Sequence, residues 1–314
     1  MTQKMTRRKS TTRLADAILT ADIHLRDTTP VCRTDDYWLA QWGKIRFLRE
    51  LQNAHHCPIL DAGDLMDTWK ASAYLLNHAI QKLPGHIITI PGNHEMPSHN
   101  MALLEKSGLA VLQSAGKVTI LDPDHSITNI GIGEDITVVG FGYGQPIRSF
   151  TPSISSRRTV LLVHDMFYAS PGTVNPYAPG GIASKLIDKM KVDLVVSGHN
   201  HQPFVLNNGK SLWVNPGSLM RMDADQIDYK PRVYLWFADD NTIEEVPVPI
   251  QTGVISCEHL DKKEEKDQRM EAFVRRMRDD YDISLSYERN LESHFKANNT
   301  RKPVQDIIME ELHG

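Results

Sequence analysis

The sequence predicts an α/β fold built on parallel strands, because short apolar runs alternate with longer amphipathic stretches in its first third. Residues 17–21, 57–60 and 86–90 are apolar runs of strand length. The stretches between them are long enough to form helices that return the chain to the same end of a sheet. This strand–helix–strand order is typical of a parallel core with helices packed on the sheet.

Two helices are predicted between these strands. In residues 37–54, Trp38, Trp42, Ile45 and Leu48 recur at spacings of three and four, so this face should be a core stripe, with a base-stacking platform as the alternative. A second helix should cover residues 69–83 and end before Pro84-Gly85. The histidines at 55 and 56 should form a solvated C-terminal cap.

The pattern changes after residue 117. Strands at 118–121, 127–130 and 136–141 follow one another without helices, which predicts an antiparallel second sheet. Further strands are expected at 159–163, 192–196, 212–214, 233–237 and 246–250, with a short helix at 182–190. We expect the Gly- and Pro-rich loop 170–181 to shape access to a site.

The domain organisation follows from two shifts in composition. Residues 1–15 form a basic tail, residues 16–256 the main domain, and residues 257–314 a charged helical extension. In that extension Val304, Ile307, Ile308 and Leu312 make a thin apolar stripe. Such a stripe either caps the chain's own domain or docks a partner.

The bulk composition excludes several classes of protein. The chain has 314 residues and a net charge of -4, which argues against a globally basic nucleic-acid binder but allows a local basic groove. Its three widely spaced cysteines predict neither disulfides nor a cysteine zinc site, so we expect a reducing cytoplasm. Residues 1–15 lack the apolar segment of a secretory signal, and no apolar run is long enough to span a bilayer.

Five apolar runs are each followed by residues that bind metal ions. The candidate ligands are Asp22, His24, Asp64, Asn93, His164, His199 and His201. This mixture of oxygen and nitrogen donors suits Mn, Fe or Zn better than Ca or Mg. Seven ligands are too many for one ion and suit two ions that share a bridging carboxylate. A water between two such ions loses a proton readily and becomes a hydroxide nucleophile.

The order Asp-x-His, Gly-Asp-x-x-Asp, Gly-Asn-His-Glu, His and Gly-His-x-His resembles the calcineurin-like metallophosphoesterases over roughly residues 17–217. The resemblance implies a four-layer α/β/β/α sandwich. It assigns Asp22, His24, Asp64 and His201 to one ion and Asp64, Asn93, His164 and His199 to the other. Asp64 would bridge the two ions during in-line attack on phosphorus. His94 would protonate the leaving alkoxide or stabilise charge on the phosphoryl oxygens.

Three segments are similar to the SbcD-type DNA repair exonucleases. They are Ala-Asp-Ile-His-Leu at 21–25, Leu-Asp-Ala-Gly-Asp-Leu at 60–65 and Pro-Gly-Ser-Leu-Met-Arg at 216–221. The compact size also resembles phage-encoded members. The resemblance implies cleavage of DNA, usually with manganese and alongside an SMC-like ATPase partner. Arg26 and Arg221 are the first candidates for substrate contacts, followed by Arg148, Arg157, Arg158 and Arg232.

Two other functions remain open from the sequence. A small-molecule phosphodiesterase or phosphatase, for example one for cyclic or dinucleotides, would use the same ions and close a smaller pocket with loop 170–181. Alternatively, the chain is a binding module whose C-terminal helices recruit an ATPase. Asp61, Asp67, Glu95 and Asp165 are candidates for residues that support the ligands, although Asp67 could equally cap the next helix. The oligomeric state is open.

Overall fold

The computed structural model describes residues 13–122, 127–128, 136–147, 157–258, 260, 268–272 and 287–313. The chain divides into two compact units, Met1–Ser256 and Cys257–Gly314. Most of the basic tail and Arg148 lie outside the described residues.

The first six-stranded sheet has a parallel centre and an antiparallel edge. Its strands are β1 (Ala17–Thr20), β2 (Ile59–Asp61), β3 (Ile87–Thr89), β4 (Val118–Ile120), β13 (Arg232–Phe237) and β14 (Thr242–Pro247). The spatial order is β14-β13-β1-β2-β3-β4, and β1 to β4 run parallel. The register aligns Thr20, Asp61 and Thr89 in one row, so the chain leaves these three strands at the same edge.

The second six-stranded sheet also has parallel strands at its centre. Its strands are β5 (Ile127–Thr128), β6 (Ile136–Phe141), β7 (Arg158–His164), β10 (Leu194–Gly198), β11 (Phe204–Asn207) and β12 (Leu212–Asn215). The order is β11-β12-β10-β7-β6-β5, with antiparallel pairing only at the described edges. His164 pairs with Gly198, so both motifs leave the sheet together. A separate pair, β8 (Phe167–Tyr168) and β9 (Gly181–Ile182), encloses the Gly- and Pro-rich loop.

The described residues of the first unit form four α-helices. They are α1 (Tyr37–His55), α2 (Ala73–Lys82), α3 (Gly108–Ser114) and α4 (Ala183–Met190). Short 3₁₀ turns occur at Pro97–His99, Met101–Lys106, Pro171–Thr173 and Ala224–Gln226. The carboxylate of Asp36 caps α1 by accepting from the Leu39 amide, and the Ser72 hydroxyl caps α2. These caps fix where α1 and α2 begin.

The core consists of three apolar layers, because successive strand residues point to opposite faces of a sheet. Ile18 and Ile59 pack with the helix residue Leu48 on the outer side of the first sheet. Leu19 and Val196 belong to the layer between the two sheets. A third apolar layer lies between α4 and the second sheet. The predicted four-layer α/β/β/α arrangement is confirmed.

Several predicted details are wrong. Strand β4 joins the first sheet parallel to β3, and β6 pairs parallel with β7, so the second sheet is not antiparallel. Helix α2 begins at Ala73 rather than 69, because Ser72 caps it. His55 is buried and accepts a hydrogen bond at Nδ1 from the Ala15 amide, so it is not a solvated cap.

The described part of the second unit includes the helices α5 (Tyr287–Ala297) and α6 (Lys302–His313), and residues 268–272 are also helical. In α6, Val304 is 46% exposed and Ile307 is 61% exposed. Within the described parts of the chain, none of the helices combines the length and the apolar character needed to cross a membrane.

Candidate metal centre

The loops after β1 and β2 bring the first ligands together through backbone hydrogen bonds. The Asp22 amide donates to the Gly63 carbonyl at 3.0 Å, and the His24 amide donates to the Asp64 carbonyl at 2.8 Å. Asp22, His24, Asp64 and His199 all have positive φ values, between 50° and 76°. Such conformations cost about 1–3 kcal/mol each and concentrate at functional sites. The strain here falls on the predicted ligands.

Asp22, His24 and His201 form the first ligand group. One ligand atom from each lies within 4.8 Å of the others. The Nε2 atoms of His24 and His201 are 3.2 Å apart, and Asp64 Oδ2 lies 3.8 Å from His24 Nε2. The structure thus assembles the four residues that the resemblance assigns to one ion.

Asp64, His164 and His199 form the second ligand group, again within 4.8 Å. His164 Nε2 lies 3.2 Å from Asp64 Oδ2 and 3.2 Å from Asn93 Oδ1. Asp64 therefore contacts residues of both groups, as a bridging carboxylate must.

The donor atoms fit divalent ions in spacing, and two of the imidazoles also fit in protonation. Atoms that share an ion at about 2.1 Å lie roughly 3.0–3.4 Å apart, which matches the 3.2 Å contacts. Burial lowers the pKa of His24 and His199, in the case of His199 to about 4, so these rings are neutral and able to coordinate. Burial opposes ionisation of Asp64, but His164 and His24 hold its pKa below the ordinary value. Burial opposes protonation of His164, but Asp64 raises its pKa to about 10, so an ion bound there would displace a proton.

Two hydrogen bonds orient the ligands. The ring nitrogen His164 Nδ1 lies 2.7 Å from the Ala62 carbonyl, which requires Nδ1–H and leaves Nε2 facing Asp64. The His199 amide donates to Asp22 Oδ1 at 3.0 Å, which ties the last motif to the first. Burial raises the pKa of Asp22. The hydrogen bond from the His199 amide acts in the opposite direction, because it stabilises the charged carboxylate.

Glu95, one of the predicted supporting residues, connects two of the motif loops. Its fully buried carboxylate accepts from the amides of Asp64 (3.1 Å), Met66 (2.9 Å) and Gly92 (2.7 Å). It therefore joins the Gly-Asp loop to the Gly-Asn-His loop. Burial raises the pKa of Glu95 to about 8, while the three amides, and any cation at Asp64, favour the anion.

The other acidic candidates differ in position. Asp61 is buried beside the loop and accepts from the Thr89 hydroxyl at 2.7 Å. Asp67 does not cap α2, since Ser72 does; its carboxylate lies 3.6 Å from His24 Nδ1. Asp165 is exposed and accepts only from the next amide among its described hydrogen bonds.

His94 lies at the exposed side of the ligand groups. Its amide donates to Asp64 Oδ1 at 3.0 Å, and its Nδ1 lies 2.7 Å from the Asp67 carbonyl. Its ring centroid is 4.7 Å from that of His24. With Nδ1–H held by the carbonyl, Nε2 is the nitrogen left to face a substrate. The half-exposed ring of Tyr143 also lies beside the ligand groups, with its centroid 5.4 Å from that of the His199 ring.

The predicted substrate arginines have other contacts. Arg26 lies 3.5 Å from Asp67 and donates to the Thr28 hydroxyl. Arg221 is only 3% exposed and donates to the carbonyls of Ile227 and Gln251, so two of its guanidinium nitrogens are already engaged and its substrate contact stays a prediction. Three further candidates pair with carboxylates, namely Arg157 with Asp239, Arg158 with Asp193, and Arg232 with Glu245.

One comparison, with models of protein families, shows the family of this chain. A sequence model described as calcineurin-like phosphoesterase matches residues 17–203, and proteins of that family use a binuclear metal centre. A solved archaeal phosphodiesterase aligns with a TM-score of 0.38 and 14% identity, covering 74% of this chain and 98% of that one. A Staphylococcus aureus protein described as a candidate 5'-nucleotidase aligns with a TM-score of 0.46 and 14% identity, covering 80% and 58%. No curated protein matches the sequence. On the family match, which spans more than half of its length, the chain belongs to the calcineurin-like phosphoesterase family.

Proposed function

We propose that this chain is a phosphodiesterase that requires two divalent ions and cleaves DNA. One observation carries the phosphodiesterase part: buried Asp64 contacts both ligand groups, and His94 lies exposed beside them. The ions we propose are Mn, with Fe and Zn as alternatives, because the donors mix carboxylate, amide and imidazole.

The chemistry divides between the ions and the chain. Asp22, His24, Asp64 and His201 would hold one ion, and Asp64, Asn93, His164 and His199 the other. When bound, the ions would acidify a shared water and offset charge on the phosphoryl oxygens.

His94 supplies the group that the ions do not. Its Nδ1 is fixed by the Asp67 carbonyl, so Nε2 can deliver a proton to the leaving oxygen or donate to a phosphoryl oxygen. The half-exposed Tyr143 offers an aromatic surface for a base next to the scissile phosphate.

DNA as the substrate is supported by the three SbcD-like segments in the sequence. The same similarity supports an SMC-like ATPase partner, for which the apolar stripe of α6 is a candidate docking element. A cytoplasmic location is proposed with it.

A small-molecule diester is the second candidate, and a specific observation favours it. Arg157, Arg158, Arg221 and Arg232 are engaged with carboxylates or carbonyls rather than presented to a long phosphate backbone. A cyclic nucleotide or dinucleotide needs fewer such contacts. Loop 170–181, which Tyr168 fastens through a 2.6 Å hydrogen bond to the Ala178 carbonyl, would then set the size of the pocket.

One experiment separates these functions. Purified protein with Mn²⁺ is given linear double-stranded DNA, single-stranded DNA and a cyclic nucleotide in parallel. Asp64→Ala and His94→Ala are the test variants, and Asp165→Asn is the control, because Asp165 is an exposed carboxylate next to a ligand. Loss of DNA cleavage in both test variants, but not in the control, supports the nuclease. Turnover of the cyclic nucleotide with DNA intact supports the second candidate. Full activity in Asp64→Ala would contradict both.

A further inference from the structure

A second cluster of charged side chains lies apart from the ligand motifs, against helix α1. Arg33, Lys44 and Arg221 line one cavity of about 110 Å³ in the first unit. Lys44 is 7% exposed and Arg221 is 3% exposed. The Arg33 side chain is 4% exposed. Buried cations normally have an anionic partner, because an unpaired buried charge is strongly unfavourable.

The charges in this cluster do not balance. The carboxylate of Asp35 pairs with the Arg33 guanidinium through hydrogen bonds of 2.8 and 2.6 Å. Lys44 donates to the Leu219 carbonyl at 2.6 Å, and Arg221 donates to two backbone carbonyls. Neutral carbonyls accept these hydrogen bonds but do not neutralise the charge. Three cations therefore face one carboxylate among the described residues that surround the cavity.

The hydrogen-bonding capacity is also incomplete. Arg221 Nε is buried and has no hydrogen-bond partner in the described structure. An ammonium carries three donors, and the described contacts of Lys44 use one of them. Burial, with Arg33 and Arg221 adding to it, lowers the pKa of Lys44 to about 7, and an anion beside the ammonium would favour the protonated form.

The cavity has room for a small ligand, and its lining includes the exposed residue Gln251. A water occupies about 10–15 Å³ of such volume, so 110 Å³ exceeds the space of a single water. Lys44 and Gln251 also line a neighbouring cavity of about 320 Å³. Glu50 on that cavity is exposed and lies 3.9 Å from Arg46, so its charge already has a partner.

We propose that the cavity bounded by Arg33, Lys44 and Arg221 binds a small tetrahedral oxyanion of the phosphate type. It would accept from Arg221 Nε and the Lys44 ammonium and balance the cluster. The anion is either free inorganic phosphate or the terminal phosphate of an oligonucleotide, since both present the same chemistry.

The site is connected to the metal centre through one residue. The Leu219 carbonyl accepts from Lys44, and the Leu219 amide donates to the Asp22 carbonyl at 3.2 Å. An anion here would stabilise the segment that holds the first ligand loop. The inference does not depend on the proposed function, because binding is measured without turnover.

The test is calorimetric titration of inorganic phosphate into the full-length protein kept in excess chelator, so that metal ions cannot bind the phosphate. Gln251→Glu is the main variant, since it places a carboxylate at an exposed position lining the cavity. Lys44→Met removes one cation and keeps the aliphatic stem. Lys185→Met, an exposed lysine on α4, is the matched control.

We expect one phosphate per chain in the wild type and in Lys185→Met. We expect binding at least tenfold weaker in Gln251→Glu and Lys44→Met. Thermal melting in phosphate is a second measurement. Because phosphate stabilises proteins generally, the increase in Tm must be larger in the wild type than in Gln251→Glu to support the proposal. If Lys44→Met fails to fold, Gln251→Glu decides alone. Absence of saturable binding, or unchanged affinity in Gln251→Glu, overturns the proposal.

A competition experiment identifies the source of the anion. A 5'-phosphorylated dinucleotide that displaces inorganic phosphate, when its unphosphorylated counterpart does not, indicates an oligonucleotide end. Failure of both to compete indicates free phosphate. Either result supports the phosphate chemistry, whereas displacement by the unphosphorylated dinucleotide contradicts it.

Discussion

Replacement of Glu95 by Gln tests how the two central motif loops are held together. The carboxylate of Glu95 uses one oxygen for the amides of Asp64 and Gly92 and the other for the amide of Met66. A Gln side chain offers one acceptor oxygen. Its NH₂ group must therefore face at least one of these three donors.

The expected size of the effect follows from that count. A hydrogen bond to a charged group contributes about 1.5–3 kcal/mol, and Glu95→Gln loses at least one. Removing such support for metal ligands typically lowers metal affinity 10–100-fold, which is about 1.4–2.7 kcal/mol. The two figures agree. We therefore expect Mn²⁺ affinity to fall 10–100-fold because the Asp64 loop is no longer fixed.

The assay is calorimetric Mn²⁺ titration of wild type, Glu95→Gln and the control Asp165→Asn, with far-UV circular dichroism to verify folding. The control should bind Mn²⁺ as the wild type does, since Asp165 is exposed and contacts its own loop. If Glu95→Gln binds Mn²⁺ as tightly as the control, the three amide contacts do not hold the ligands and the reasoning is refuted.

Three other predictions each concern a single residue. Gly92→Ala should abolish Mn²⁺ binding, because the new Cβ would lie 2.0 Å from Asp64 Oδ1. Gly85→Ala is the control, since a Cβ there meets no atom within 4 Å. Equal Mn²⁺ titrations of the two variants would contradict this prediction. His94→Ala should keep the wild-type metal content by mass spectrometry but lose at least about 100-fold in turnover; loss of metal would instead make His94 a ligand. Burial raises the pKa of Asp61 to about 8, so the metal-free protein should lose unfolding free energy as pH rises from 4 to 8, by up to about 1.4 kcal/mol per pH unit. Asp61→Asn should remove that part of the slope in urea denaturation, and an unchanged slope would exclude Asp61 as its source.

The motif positions could be predicted because local chemistry determines them. Asp22, Asp64 and His164 each follow an apolar run, and parallel strands bring such positions to one edge. Strand β4 was assigned to the wrong sheet because its pairing with β3 is decided by packing across the domain. No local pattern in the sequence encodes that choice.

The supporting residues were harder to predict, since their partners are distant in sequence. Arg221 ends the Pro-Gly-Ser-Leu-Met-Arg segment, yet its guanidinium contacts the carbonyl of Gln251, thirty positions along the chain. The role of Glu95 depends on amides at Asp64 and Met66 in another loop. Its place in Gly-Asn-His-Glu was a signal, but residue type alone does not distinguish a buried acceptor from a solvated charge.

The metal content of the purified chain tests the central claim most directly. Protein loaded with Mn²⁺ and freed of excess metal by gel filtration is analysed by mass spectrometry, in wild type and in Asp64→Ala. The shared position of Asp64 predicts two ions per wild-type chain and at most one in the variant. One ion or none in the wild type, or two retained in Asp64→Ala, would contradict a centre bridged by Asp64.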